Sequence, residues 1–517
     1  MHEKKEKLVN LSGRLLARNA LLNFIGQATP LVVGVITIPF IVRGLGTERF
    51  GLLSLAWVVL GYFSVFDLGL GRATTKFVAE ALGKGEADQV PRLVWTAVTV
   101  QAVLGIVGAL VLTGITPLLV ERILKVPSEL VGEAKATFRL LALSIPVVLI
   151  SGSCRGVLEA SQRFDLVNAV SIPISVLTYI LPLVGLLFGM NLPGIVVLIL
   201  LARVWALTAF VALNLHNTPG LRKYKGSLSL FPRLFSFGGW ITVSSVVSPI
   251  LVYLDRFLVG SLLSMSAVAY YSAPYETVTR LLIIPGSLTM TLFPAFSSLE
   301  GIKDKQKLGI LFARSIKYVL LILGPIILVV ILFAKEALQI WLGPDFAKQS
   351  SAVLVILALG VLANSLAQIP FAFLQAIGRP DLPAKFHLFE LPIYVGIAWL
   401  LVSKWGITGA AGAWAFRVTL DAFLLFCAVF KVYAFSPQIF TTNGTALAGL
   451  VLLLFSLIAY GARALIGALS FVMEGVVLAT VFGLFAFFVW SKVLDISDKS
   501  TILKTVKIVG RGTFRRV

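Results

Sequence analysis

The chain has 517 residues, of which 58% are hydrophobic and only 13% charged, and its mean hydropathy is +0.96. A soluble domain carries about 25% charged residues, so a water-soluble fold is excluded and an all-α polytopic membrane protein is expected. The formal net charge of +20 would suggest nucleic acid in a soluble protein. In a membrane chain it follows from basic cytoplasmic loops, and no nucleic-acid partner is expected.

Met1 to Lys7 is polar with no short apolar core behind it, so no cleaved signal peptide is expected, and residues 1–18 read as a cytoplasmic segment. Beyond it, apolar runs of about twenty residues recur, each long enough to cross about 30 Å of hydrocarbon as a helix. Gly, Pro and charge punctuation divides them into fourteen spans. The first six fall at 19–42, 50–71, 93–116, 138–157, 166–189 and 193–214. The next six fall at 235–258, 269–295, 315–334, 350–375, 386–403 and 407–430, and the last two at 445–465 and 473–491. Prolines 39, 249, 285, 370 and 392 interrupt spans and permit bending. Of the 44 Lys and Arg, 30 fall on the side of the amino terminus, 10 on the opposite side and four within spans, which puts both termini in the cytoplasm.

Three segments repeat. Leu158–Leu166 reads L-E-A-S-Q-R-F-D-L and Leu374–Leu382 reads L-Q-A-I-G-R-P-D-L, so Leu, Ala, Arg, Asp and Leu recur at a shift of 216. Ala202-Arg203-Val204 and Phe416-Arg417-Val418 match at a shift of 214, and Phe50–Ser54 and Val268–Ser272 match more loosely at 218. Two parallel six-helix repeats around a central cleft are expected: an N-lobe at 19–215 and a C-lobe at 235–430, joined by a basic cytoplasmic linker at 216–234. Spans thirteen and fourteen (431–491) fall outside the repeat, and 492–517 is a basic cytoplasmic tail.

An arginine at mid-span costs about 2.5–3.5 kcal/mol on insertion scales, so Arg203, Arg417 and Arg280 need water, a partner or a ligand. Arg256 lies near the outer end of span seven, where snorkelling is cheaper. Glu276 precedes Arg280 by four and Asp421 follows Arg417 by four, so pairing within each helix competes with substrate contact. Arg203 has no such partner in its helix, which makes it the first candidate for an anionic substrate group and Arg417 the second. Guanidinium suits phosphate because it stays charged and binds bidentately. Asp67, Asp255, Glu276, Glu390 and Asp421 are the carboxylates available to a coupling ion, with interhelical hydrogen bonding the competing role for Asp255 and Glu390. Two cysteines, Cys154 and Cys427, and three scattered histidines give no disulfide framework or metal site. No nucleotide loop or nucleophile motif occurs, so neither a cofactor nor an enzyme site is expected.

Arg18–Gln27 (R-N-A-L-L-N-F-I-G-Q), Ile38–Gly46, Phe50–Ser54, Phe66–Arg72 (F-D-L-G-L-G-R) and Tyr253–Phe257 (Y-L-D-R-F) together resemble the bacterial polysaccharide-transport flippases. These Wzx-like O-antigen and exopolysaccharide translocases are a branch of the multidrug, oligosaccharidyl-lipid and polysaccharide exporter superfamily. The resemblance implies alternating access in the inner membrane, with a polyprenyl-diphosphate-linked oligosaccharide moved from the cytoplasmic to the periplasmic leaflet. It also implies coupling to H+ or Na+, with polysaccharide polymerase components as partners. A multidrug cation exporter, a murein-precursor flippase of the same superfamily and a non-transporting subunit of a polysaccharide-synthesis complex are the alternatives. Fourteen spans and deep arginines in both halves favour the oligosaccharide flippase over the drug exporter.

Overall fold

A computed structural model describes residues 29–499, except 31, 63–69, 84–85, 162, 224–225, 228–238, 302, 437, 467–470 and 497. Asp67 and residues 1–18 lie outside the described residues, as do parts of 216–234 and 492–517. The regular structure among the described residues is all helical, because lipid leaves no other partner for the backbone N–H and C=O groups of a lone span. Among the described residues, helices occupy each expected span in whole or in part. The first is Val32–Leu45, the second Thr47–Tyr62 with Leu70–Gly83 after it, and the third Val90–Leu118. Spans four to seven are Val131–Ala160, Phe164–Leu187, Leu192–Asn217 and Gly239–Leu262. Span eight joins Met265–Val278 to Ile283–Gly301 through a 3-10 turn at Thr279–Leu282. Span nine is Lys305–Leu332, and a short helix Ala334–Leu342 leads to span ten, Pro344–Ala376. Spans eleven and twelve form one run, Asp381–Tyr433, broken at Gly406, and spans thirteen and fourteen are Thr445–Ile466 and Phe471–Phe488.

Local chemistry sets the ends. Asn191 caps span six by accepting from the Gly194 N–H at 3.2 Å, Ser264 caps span eight through Ala267 N–H and Asp304 caps span nine through Lys307 N–H. Gly406 has φ 59° and ψ −137°, a conformation open only to glycine, and so turns the chain between two spans without a loop.

The repeated motif builds the same turn twice. Between spans four and five, Arg163 N–H donates to Leu158 O, and Leu166 N–H donates to Arg163 O. The Arg163 guanidinium grips Asp165 with two hydrogen bonds of 3.1 Å. Between spans ten and eleven, Arg379 N–H donates to Leu374 O, Leu382 N–H to Arg379 O, and the guanidinium grips Asp381 at 3.0 and 3.3 Å. Leu158 and Leu374 are both buried, at 1% and 0% exposure, anchoring each turn.

The chain forms two compact units. The first comprises 1–283, 337–357 and 384–417, and the second 284–336, 358–383 and 418–517. In the first unit, spans one to six pack with span seven, the first part of span eight and the adjoining parts of spans ten to twelve. Span two meets span eight so closely that a Cβ on Gly51 would stand 1.9 Å from Met265 O. Lys125 donates its backbone N–H to Gly260 O and its ammonium to Leu262 O, satisfying carbonyls at the end of span seven. Trp341 Nε1 donates to Val35 O at 2.6 Å. In the second unit, Phe296, Phe312, Phe373, Tyr433 and Phe435 form a ring cluster with centroids 4.9–5.9 Å apart. Span thirteen is tied to the short helix after span nine by the Arg463–Glu336 ion pair, and the segment that follows span fourteen is tied to span nine by the Lys317–Asp498 and Arg314–Asp495 pairs.

Candidate functional site

Six of the charged residues singled out in the sequence come together in the first unit, on spans seven, eight, eleven and twelve. Val247 and Leu251 of span seven pack against Tyr394 and Ala398 of span eleven and Ala413 of span twelve. One turn along these helix faces come Asp255, Glu390 and Arg417, so the apolar stripe that holds the bundle together also fixes the charged groups.

Asp255 is fully buried and accepts from the Tyr271 hydroxyl at 2.5 Å and from Arg256 N–H at 2.7 Å. Arg256 does not snorkel. Its side chain is 1% exposed, its Nη2 reaches Glu276 Oε1 at 2.9 Å, and its guanidinium lies 4.0 Å from the Tyr275 ring centroid. A carboxylate and an aromatic face on the neighbouring span eight remove the need to reach the interface. Glu276 turns its other oxygen to Arg280 Nη2 at 3.2 Å, as the i,i+4 spacing predicted. Arg280, in the 3-10 turn of span eight, donates in addition to the Tyr179 hydroxyl of span five at 2.7 Å. Arg417 approaches Glu390 at 3.8 Å and lies 5.7 Å from the Tyr394 ring centroid.

Three arginines therefore stand among three carboxylates, Asp255, Glu276 and Glu390, and the network is neutral when all are ionised. Its parts differ in access. Asp255, Arg256 and Glu390 are sealed at 0–1% exposure, whereas Glu276 and Arg280 keep side-chain exposures of 29% and 37%. The exposed pair lines a small pocket with Pro30, Gly34, Val35, Ile38, Tyr179 and Thr277. Its volume is about 10 Å³, near the room one water needs. Access for an ion or a ligand thus leads to Glu276 and Arg280, with Arg256 behind them.

Arg203 stands apart from this network. It falls on the stripe Ile195, Ile199, Ala206, Phe210 by which span six packs on spans four and five, and it is partly buried. Its Nε has no hydrogen-bond partner among the described residues. Its neighbours Leu201 and Trp205 face outward at 59% and 51% exposure. The equivalence of Arg203 and Arg417 in the repeat is therefore not an equivalence of surroundings. Asp421, 8% exposed, belongs to the second unit.

The tyrosines were missed. Tyr179, Tyr271, Tyr275 and Tyr394 all touch the network, and the signal lay in their position. Tyrosine in membrane helices concentrates at the interfaces, whereas Tyr271, Tyr275 and Tyr394 are buried among facing helices and so mark a polar interior.

The polysaccharide biosynthesis protein family matches residues 16–300, which include every segment on which the resemblance was read. A Shigella flexneri protein named for O-antigen transport is 31% identical over 411 residues, 79% of this chain and 96% of its own length. The chain belongs to the polysaccharide biosynthesis protein family. The MatE family matches residues 241–400 as well. In fold the chain is similar to the lipid II flippase MurJ, with a TM-score of 0.71 at 14% identity, covering 91% of this chain and 99% of that one. It is also similar to a multidrug resistance MATE transporter of the MOP superfamily, with a TM-score of 0.70 at 17% identity, covering 79% and 94%. These matches agree with an all-α, multi-pass membrane protein, and its named relatives are transporters and flippases rather than enzymes.

Proposed function

We propose that this family member is a flippase that carries a polyprenyl-diphosphate-linked oligosaccharide, an O-antigen or exopolysaccharide repeat unit, from the cytoplasmic to the periplasmic leaflet of the inner membrane. The lobes are 19–215 and 235–430, joined at 216–234, and they alternate access with both termini in the cytoplasm. The diphosphate is held by arginine, with Arg280 the exposed member, Arg256 behind it, and Arg417 and Arg203 as further contacts. The prenyl chain stays in lipid and needs no built pocket. Coupling to H+ or Na+ runs through carboxylates among Asp67, Asp255, Glu276, Glu390 and Asp421, and of those described Glu276 is the most exposed.

The observation that carries this reading is the exposed Arg280–Glu276 pair in the middle of a span, backed by a buried second arginine. A multidrug cation exporter, which the MatE match keeps in view, would favour an excess of carboxylate, whereas here arginines and carboxylates balance. The test is made in the host cell. Loss of the protein is expected to abolish the surface glycan while its lipid-linked precursor accumulates on the cytoplasmic side. Wild type restores the glycan and Arg280→Ala does not. Normal surface glycan without the protein would refute the proposal.

A further inference from the structure

Arg280 reaches across to the first repeat, and the contact is specific. Its Nη2 donates to Tyr179 Oη at 2.7 Å and to Glu276 Oε2 at 3.2 Å. Tyr179 is wedged between two further helices: a Cβ on Gly34 would meet its ring at 3.3 Å, and the Trp57 ring lies 5.3 Å away, tilted by 60°. Two oxygens of this protein thus take up Arg280 Nη2, one of the nitrogens in the fork that an arginine offers to a phosphate, and they sit in a pocket with room for little more than one water.

We propose that Tyr179 and Glu276 are internal stand-ins for an anionic ligand. A phosphate group entering this pocket takes Arg280 from them and thereby unties span five from span eight. Tyr179 is a positioning residue: it aims Arg280 and keeps the pocket shut until an anion exchanges for its hydroxyl. Arg256 remains bonded to Glu276 during the exchange, so the carboxylate keeps a counter-charge. The exchange conserves charge-assisted hydrogen bonds, because each one lost to Tyr179 or Glu276 is replaced by one to a phosphate oxygen. The proposal rests on the flippase reading only for the diphosphate as ligand.

The experiment uses the full chain in phosphatidylcholine nanodiscs, titrated with inorganic pyrophosphate and with farnesyl diphosphate. Trp57 is the built-in reporter, its signal isolated by comparison with Trp57→Phe. Wild type is expected to show a saturable fluorescence change that Arg280→Gln loses. Tyr179→Phe removes one acceptor held by a charged donor and is expected to bind pyrophosphate roughly tenfold tighter. A lesion that merely disturbed packing would weaken binding. Glu276→Gln is expected to tighten binding too, but it strips Arg256 of its carboxylate, so the tyrosine variant carries the test should the glutamine variant fail to fold. Unchanged or weaker binding by Tyr179→Phe, undiminished binding by Arg280→Gln, or no response in wild type would each overturn the inference. Tighter binding of farnesyl diphosphate than of pyrophosphate supports the exchange with a prenyl diphosphate as its source. A response that phosphatidylglycerol nanodiscs reproduce without added ligand supports it with a phospholipid headgroup. Transport that fails while the exchange holds removes only the flippase reading. Exchange that fails while transport holds removes only this inference.

Discussion

Lys317 and Asp498 form a fully buried ion pair, 0% exposed on both sides with Nζ and Oδ2 2.5 Å apart, and Asp498 also accepts from the Tyr318 hydroxyl. Removing one partner of a buried pair strands the other charge and costs about 3–5 kcal/mol, while replacing both by apolar residues is neutral or stabilising by about 1–4 kcal/mol. Lys317→Met is therefore expected to destabilise by about 3 kcal/mol or more. Lys317→Met with Asp498→Leu should recover most of that loss, and adding Tyr318→Phe removes the hydroxyl left without its acceptor. Thermal unfolding of the detergent-solubilised protein at pH 7 ranks the variants, and rank order suffices because a many-helix protein need not unfold in two states. Acid gives a second reading. Burial pushes the Asp498 carboxyl up, but hydrogen bonds from Lys317, Tyr318 and Asp495 N–H outweigh it and hold the group below its usual range. A folded-state pKa below the unfolded value contributes stability that is fully present above about pH 4 and fades as pH falls through the folded value. The wild type should lose this contribution only in acid, and the apolar variant should lack that component. An apolar variant no more stable than Lys317→Met would refute the reasoning, since the pair would then act through its geometry and not through its stranded charge.

Three further outcomes are expected. Gly51→Ala drives a methyl into Met265 O and should destabilise the first unit by about 1–3 kcal/mol in the same unfolding assay, whereas an unchanged midpoint would mean that span two can withdraw from span eight freely. Arg163→Ala and Arg379→Ala should each cost about 1 kcal/mol or less, Arg163 slightly more because it also donates to Asn217 at 3.0 Å, and widely unequal losses would contradict the structural equivalence of the two turns. With Cys154 and Cys427 replaced, a cysteine at Gly343 should react with an impermeant thiol reagent added outside intact cells and one at Lys303 only after permeabilisation; the reverse pattern would invert the topology.

The fold was legible because its signals are local. Apolar run length and charge punctuation located the helices, and the R-x-D motif located two turns that share their Arg–Asp grip and two backbone hydrogen bonds. The position of Gly406 between expected spans eleven and twelve was also readable, though its left-handed backbone was not. The site was half legible. Glu276 and Arg280 share a helix face, so spacing alone paired them. Arg256 with Glu276, Arg417 with Glu390 and Arg280 with Tyr179 are contacts between helices, and one sequence carries no periodicity that reports them. Reading Arg256 by depth alone therefore missed its burial. Arg203 shows the same limit, because repeat position gave its counterpart but not the packed face on which it lies.

The central claim is that this chain moves a lipid-linked oligosaccharide by way of arginine. Its most direct test is translocation of a fluorescent polyprenyl-diphosphate oligosaccharide in proteoliposomes, with wild type compared with Arg280→Ala, Arg203→Ala and Arg417→Ala at matched insertion. The account predicts protein-dependent flipping that Arg280→Ala abolishes and that the other two reduce. Flipping indifferent to all three would contradict the arginine site, and no flipping across several glycans would contradict the function itself.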